Sequence, residues 1–253
     1  MRDSAPACRE PGRPAGEIVA VVPAYNEAGR IGDTVAAIRE GCFAHRVIVV
    51  DDGSGDDTAR RAADAGAEVV RLPRNTGKGG ALNAVLMPLA QEQPRPAAVV
   101  LLDADLGVSA ALAGALVKPV LAGEADLVIG VLPAQGGGGF GLVKRLAAWI
   151  VRRQGGRVLA QPLSGQRAIS GRALPQLLPL GRGFSMEILM DLDAMQAGLR
   201  IKEVPVSFYH AITGRDWRGF CHRACQFRDL LWAWACYGRR WRARRRGASH
   251  GLA

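Results

Sequence analysis

Apolar residues along the first half of the chain come in short uninterrupted blocks, and each block stops at a polar or glycine-bearing turn. EIVAVVPAY (17–25), RVIVVDDGS (46–54), AEVVRLP (67–73), AAVVLLDAD (97–105) and ADLVIGVLP (125–133) read as five buried strands. Between them the apolar period changes from a block to steps of three and four. Ile31, Val35 and Ile38 predict a helix over 28–40. Further helices are expected over 56–65, with Asp56 as N-cap, over 78–91, and over 109–122, with Ser109 as cap. Strand–helix alternation with short links specifies an α/β fold, a mostly parallel sheet with helices on both faces and right-handed connections.

Beyond residue 133 the pattern loosens. QGGGGFG (135–141) has no propensity to order and reads as a loop over the strand ends, a lid or a linker. A helix carrying Lys144, Arg145, Arg152 and Arg153 is expected over 142–153, a short strand in SGQRAIS (164–170), a helix over 185–197 and a last strand in RIKEVPVSFYH (200–210). Residues 1–16 are rich in Pro, Gly and charge and read as a disordered lead-in. No internal repeat is visible.

Charge changes the picture at the carboxyl end. The chain has 253 residues and a formal net charge of +10. Residues 215–246 hold ten arginines against Asp216 and Asp229, so nearly all of the excess sits there. In the same segment Trp217, Phe220, Ala224, Phe227, Leu231, Trp234, Gly238 and Trp241 form one stripe at helical spacing. A basic amphipathic helix with tryptophans suits an anionic membrane surface, and it equally suits packing on the parent domain. No apolar run reaches the ~18–20 residues of a spanning helix. The expectation is a soluble or peripheral protein at the inner face of the membrane. Five cysteines without a disulfide-like framework and the absence of an apolar leader point to a reducing cytoplasm. Cys221, His222 and Cys225 match structural zinc spacing poorly, and no second pair follows. Nucleic-acid binding would need basic residues interleaved across one face. Here they cluster at one end, and no nucleic acid is expected as partner.

Candidate chemistry gathers where the strands end, which is where open α/β sheets bind ligands. Asp103 and Asp105 in VLLDADLG close a buried block with two carboxylates one residue apart. Mg²⁺ or Mn²⁺ is commonly held by one or two carboxylates together with substrate phosphates. The intact pair also argues against a non-catalytic sensor of the same ligand. Pro23, Ala24 and Tyr25 follow the first strand and would frame a base, with Asn26 and Glu27 opening the next helix. Asp51 and Asp52 would accept hydrogen bonds from base or ribose. In RNTGKGGALN the glycines 77, 79 and 80 admit a ligand close to the backbone, and Lys78 supplies a point charge for phosphate. The loop is not a Walker A sequence, and no GxGxxG follows the first strand.

VVPAYNE, VDDGSGDDT, NTGKGGALN and LDADLG, in that order and spacing, resemble the nucleotide-sugar half of glycosyltransferase family 2 over residues 17–130. SGQRAIS, GFSMEILMDLDAMQAG and RIKEVPVSFYH are similar to its acceptor half, here 131–214, with 215–253 as an appended basic helix and tail. The resemblance covers both polyprenyl- or dolichyl-phosphate sugar transferases and glucosyl-3-phosphoglycerate synthases. It implies a GT-A (Rossmann-like) fold and a metal-dependent hexosyltransferase using a UDP- or GDP-sugar. The acceptor would be a polyprenyl phosphate at the cytoplasmic membrane face or, alternatively, a soluble molecule such as 3-phosphoglycerate. Carried over by position, the resemblance implies that Pro23, Ala24, Tyr25, Glu27 and Asp52 contact the nucleoside. Gly77 and Lys78 lie against ribose or phosphate, and Gly165 and Gln166 line the acceptor side. Asp103 and Asp105 would hold Mg²⁺ or Mn²⁺, with Asp105 the more direct ligand and His210 a third. Glu187 would orient the sugar or act as base, and Arg215 would meet a phosphate. Two departures stand out: Gly107 replaces the glutamine of a DADLQ pattern, and His210 stands where arginine is common.

Overall fold

The computed structural model describes residues 16–132, 142–181 and 183–209. The lead-in, the glycine-rich loop, His210, Arg215 and the tryptophan-striped tail lie outside them. The chain runs β1 (Ile18–Ala24), α1 (Ile31–Glu40), β2 (Arg46–Asp51), α2 (Thr58–Asp64), β3 (Glu68–Arg71), α3 (Lys78–Leu89) and β4 (Ala98–Leu101). A 3₁₀ segment (Gly107–Ala113) leads into α4 (Gly114–Leu121) and β5 (Leu127–Val131). Then follow α5 (Leu142–Gly155), β6 (Arg167–Ser170), α6 (Leu174–Leu177), α7 (Met186–Gln196) and β7 (Ile201–Pro205).

The seven strands form one sheet in the order β3-β2-β1-β4-β6-β5-β7. Successive side chains of a strand face opposite sides, so a strand covered on both faces must be apolar throughout. The continuous blocks in the sequence are the result. Val19 and Val21 pack with Leu82, Leu86 and Ile150 on one face. Ile18, Ala20 and Val22 pack with Ile31, Val35, Ile38 and Leu116 on the other. From β1 the chain steps outward to β2 and β3, then returns to place β4 on the other side of β1. The crevice between the carboxyl ends of β1 and β4 is therefore the topological switch point.

β6 departs from the parallel expectation. It lies between β4 and β5 and is antiparallel to both, with Leu101 opposite Arg167. The reversal has a positional consequence. It brings the residues before β6, Gly165 and Gln166, to the carboxyl end of β4, where a parallel strand would have brought the residues after it.

Three local expectations change. Asn26 adopts φ 55 and α1 begins only at Ile31, so Asn26 and Glu27 lie in a loop before the helix. Asp56 stands two residues before α2, and its Oδ1 accepts the Thr58 backbone N–H at 3.0 Å. Ser109 sits inside the 3₁₀ segment, where its hydroxyl donates to the Leu106 carbonyl at 2.7 Å and accepts the Tyr209 N–H at 3.1 Å. Cys42 is disulfide-bonded, where the odd cysteine count argued for thiols; the other four cysteines fall outside the described residues.

One buried ion pair ties α7 to β6. Arg167 is fully buried, and its guanidinium is held by the Asp191 carboxylate through Nη1 and Nη2. It also donates to the Ser164 carbonyl at 2.8 Å and the Pro162 carbonyl at 3.0 Å. Burial pushes the Asp191 carboxyl up to about 6, against the pull of Arg167. Removing one partner of such a pair strands a buried charge at a cost of about 3–5 kcal/mol, whereas an apolar pair of similar volume can be neutral. Arg167→Met should therefore lower the urea-unfolding free energy by about 3–5 kcal/mol. The double variant Arg167→Met/Asp191→Leu should recover at least half of that loss in the same titration.

Candidate functional site

The loops after β1 and β2 are fastened to each other by backbone-to-side-chain bonds. The Asn26 N–H donates to the Ser54 hydroxyl at 2.9 Å, Glu27 N–H to the Thr58 hydroxyl at 2.8 Å, and Ala28 N–H to Asp56 at 3.2 Å. In return the Gly55 N–H donates to the Asn26 side chain at 2.9 Å. This fixes the rim on which Pro23, Ala24 and Tyr25 sit. Pro23 is half-buried and Ala24 buried at the end of β1, while Tyr25 turns its ring outward.

Asp51 and Asp52 point inward. Asp51 accepts the Ser54 N–H at 3.0 Å and pairs with Arg71 at 3.2 Å. Asp52 accepts the N–H and the hydroxyl of Thr76, each at 2.8 Å, and the Gly77 N–H at 2.8 Å. Both carboxylates thus fasten neighbouring loops. Gly77, at φ 78 in the left-handed region, turns the chain into α3 so that Lys78 opens that helix over the strand ends.

Lys78 is the centre of the cluster. Its Nζ lies 2.7 Å from Asp103 Oδ1 and 3.3 Å from Glu187 Oε1. The other oxygen of Asp103 accepts the Gln166 side-chain N–H at 2.6 Å, and Gln166 is itself held by the Ser164 hydroxyl at 3.2 Å. Four elements meet here: α3 brings Lys78, the end of β4 brings Asp103, the approach to β6 brings Gly165 and Gln166, and α7 brings Glu187. Gly165 is needed for that convergence. A Cβ there would stand 2.5 Å from Lys78 Nζ and 2.9 Å from Asp103 Oδ2.

The cluster carries more carboxylate than cation. Burial pushes the Glu27 carboxyl above its ordinary range; Arg30 opposes this, and Asp105, Asp56 and Asp103 add to it. Burial alone would pull Lys78 down, but Asp103 and Glu187 outweigh it and hold the ammonium above its usual range. Glu187 is nearly closed from solvent. The donors are hard carboxylate oxygens in negative surroundings, which fits Mg²⁺ or Mn²⁺. Among the described residues no group of three metal-ligating side chains forms, so two carboxylates plus ligand oxygens are the set available. Asp103 serves Lys78 and Gln166 from its two oxygens, and Asp105 stands two residues further along the same loop.

The loop after β4 is held from behind by a residue that pattern reading passed over. The Thr34 hydroxyl, on the buried face of α1, donates to the Ala104 carbonyl at 2.8 Å and accepts the Gly107 N–H at 2.9 Å. Gly107 adopts φ 52, a backbone state that gives the departure from glutamine a local reason. Thr34 is a polar residue on an otherwise apolar helix stripe, and that anomaly was its available signal. The pairing of Lys78 with Glu187, which are 109 positions apart in the numbering, had no sequence signal.

The sequence profile of the family described as Glycosyl transferase family 2 matches residues 19–178. Glucosyl-3-phosphoglycerate synthase of Mycobacterium tuberculosis is 34% identical over 206 residues, 71% of this chain and 61% of that protein. Glycosyltransferase AglJ of Haloferax volcanii is 29% identical over 204 residues, 78% of this chain and 64% of that one. The chain thus spans somewhat under two thirds of the length of these two curated relatives. A crystal structure of the mycobacterial synthase with phosphoglyceric acid superposes with a TM-score of 0.70 at 29% identity, covering 86% of this chain and 79% of that one. Its complex with Mn²⁺, uridine diphosphate and glucosyl-3-phosphoglycerate superposes at 0.69 and 30%, with the same coverage. The strand order around the switch point, the acids that end β4 and the extent of the match together assign the chain to glycosyl transferase family 2.

Proposed function

We propose that this chain transfers a hexose from a nucleoside-diphosphate sugar, with uridine as the favoured base, to a hydroxyl of a small phosphorylated acceptor. The observation that carries the reading is the Lys78 ammonium set between Asp103 and Glu187 at the carboxyl end of β4. The structures of the mycobacterial synthase with uridine diphosphate and Mn²⁺ or Mg²⁺ support the donor and the cation.

Transfer breaks the bond from the anomeric carbon to the diphosphate, so negative charge grows on the leaving group. Asp105, with Asp103 beside it, would hold a divalent cation, which supplies Lewis-acid stabilisation of that charge. Tyr25 would lie against the base at the rim. Gly77 and Lys78 would face ribose and phosphate, and a diphosphate oxygen competes with Glu187 for the Lys78 ammonium. Glu187, released from that partner, is the carboxylate positioned to take a proton from an acceptor hydroxyl. Gln166 keeps Asp103 oriented, and Gly165 leaves the room in which Lys78 and Asp103 meet.

A second reading has its own observation. Val108, Leu112 and Tyr209 expose apolar surface next to the DAD loop, and the Tyr209 N–H is bonded to Ser109 between the other two. That patch, followed in sequence by the basic tail, suits a polyprenyl phosphate presented at the inner membrane face. A phosphate acceptor is already anionic and needs no base.

Three outcomes test these readings. Asp105→Ala should abolish transfer and also metal-dependent binding of uridine diphosphate, read by calorimetry with and without Mn²⁺; full turnover by that variant would sink the proposal. Glu187→Gln should lower kcat by about 10²–10⁴ with donor affinity kept if the acceptor is a hydroxyl. Little change in kcat would favour the phosphate acceptor. Co-sedimentation with anionic liposomes should be equal for the full chain and for residues 1–214 on the first reading, and should drop on truncation on the second.

A further inference from the structure

A cavity of about 630 Å³ opens at the edge of the sheet opposite the DAD loop. It lies where β4, β5 and β7 begin and β6 ends. Arg95 enters from the loop before β4, Arg172 from the turn after β6, and Arg200 from the turn before β7. Among the described residues no acidic side chain lines it. Such a gathering of like charge from three segments needs a counter-charge.

One carboxylate lies behind the wall. Asp126, buried, accepts from Arg172 Nε at 2.8 Å, from Arg200 Nε at 3.1 Å and from the Arg200 backbone N–H at 3.0 Å. Burial would raise its carboxyl, but the bonds from Arg200 and Arg172 hold it down at about 2. Asp126 is therefore ionised and fixes two of the guanidinium groups in place. Arg95 is anchored separately, through Nε to the Ala90 carbonyl at 3.0 Å. One carboxylate against three guanidinium groups leaves a surplus of two positive charges.

One feature of the floor points to a ligand. The Ser170 hydroxyl is buried with no hydrogen-bond partner, and the residue is only 7% exposed. A buried polar atom left unsatisfied costs stability and calls for a partner. Next to it Gly171 presents bare backbone. A Cβ there would fall 1.8 Å from the Pro96 carbonyl oxygen, so the glycine lets this turn pack against the loop before β4.

We propose that this cavity is a second binding site, for the phosphate group of a small phosphomonoester. Ser170 donates one hydrogen bond from below, and Arg95, Arg172 and Arg200 close over the group from three sides. Guanidinium forks match phosphate oxygens in geometry. A phosphomonoester carries a charge of about −1.5 to −2 at neutral pH, which balances the surplus. The proposal is independent of the donor site and of the transfer reaction.

The test is calorimetric titration of the full-length protein with inorganic phosphate and with methyl phosphate, at constant ionic strength and with divalent cations chelated. Wild type should bind one saturable equivalent that Lys78→Ala retains. Arg95→Ala should weaken it at least tenfold, and Ser170→Ala should weaken it measurably. Arg95 keeps the test sound if Arg172→Ala or Arg200→Ala fails to fold, because its bond to Ala90 is far from Asp126 in the network. Absence of saturable binding overturns the proposal. So does an equivalent that survives Arg95→Ala, or one that vanishes only in Lys78→Ala and therefore belongs to the donor site.

Discussion

A lysine ammonium surrounded by carboxylates at the end of a sheet sets the terms for the rest of this molecule. Asp103, Asp105, Glu27 and Glu187 all approach the crevice between β1 and β4, and gathering like charges there carries an electrostatic penalty. Lys78 offsets part of that penalty by pairing with Asp103 and Glu187 at once. The fold supplies what this pairing requires: a helix beginning exactly one residue past a left-handed glycine, a glycine at 165 to clear the space, and an amide from Gln166 on the far oxygen of Asp103. The remaining excess of carboxylate is the property that a divalent cation and its diphosphate would complement.

The inserted antiparallel strand explains how two halves of the chain reach one point. β6 begins at the functional end of the sheet, so Gly165 and Gln166 stand beside Asp103 instead of at the opposite edge. The same strand carries Arg167, whose buried pair with Asp191 fixes α7. Glu187 lies one helical turn before Asp191, on the same side of α7. The ion pair that holds the helix therefore also sets the height at which Glu187 meets Lys78. Structural and chemical roles are divided between two acids four residues apart.

Much of this was legible in the sequence because its signals were local. Continuous apolar blocks identified the strands, and the abrupt acids of VLLDADLG located the crevice, since both depend only on neighbours in the chain. The direction of β6 was not legible. SGQRAIS has the same apolar character whichever way it runs, and its orientation is decided by the path from α5. Asp52 is read from the sequence as a contact for the nucleoside, and the structure adds its bonds to Thr76 and Gly77. A carboxylate after a strand looks the same in sequence whether it faces a ligand or a neighbouring loop. The turn chemistry at Asn26 and Asp56 was likewise settled by bonds across 28 positions, which no window along the chain contains.

The acceptor question reduces to the state of Glu187. With Lys78 at 3.3 Å the carboxylate is ion-paired. On the proposed reading, a diphosphate beside Lys78 would compete for the ammonium and leave the nearly solvent-closed Glu187 carboxylate without that partner. On the same reading, donor binding would thereby release Glu187 toward an acceptor hydroxyl. A phosphate acceptor would gain nothing from that coupling and would meet Glu187 as a repelling charge. The Lys78–Glu187 ion pair is therefore the observation on which the proposed preference for a hydroxyl acceptor rests.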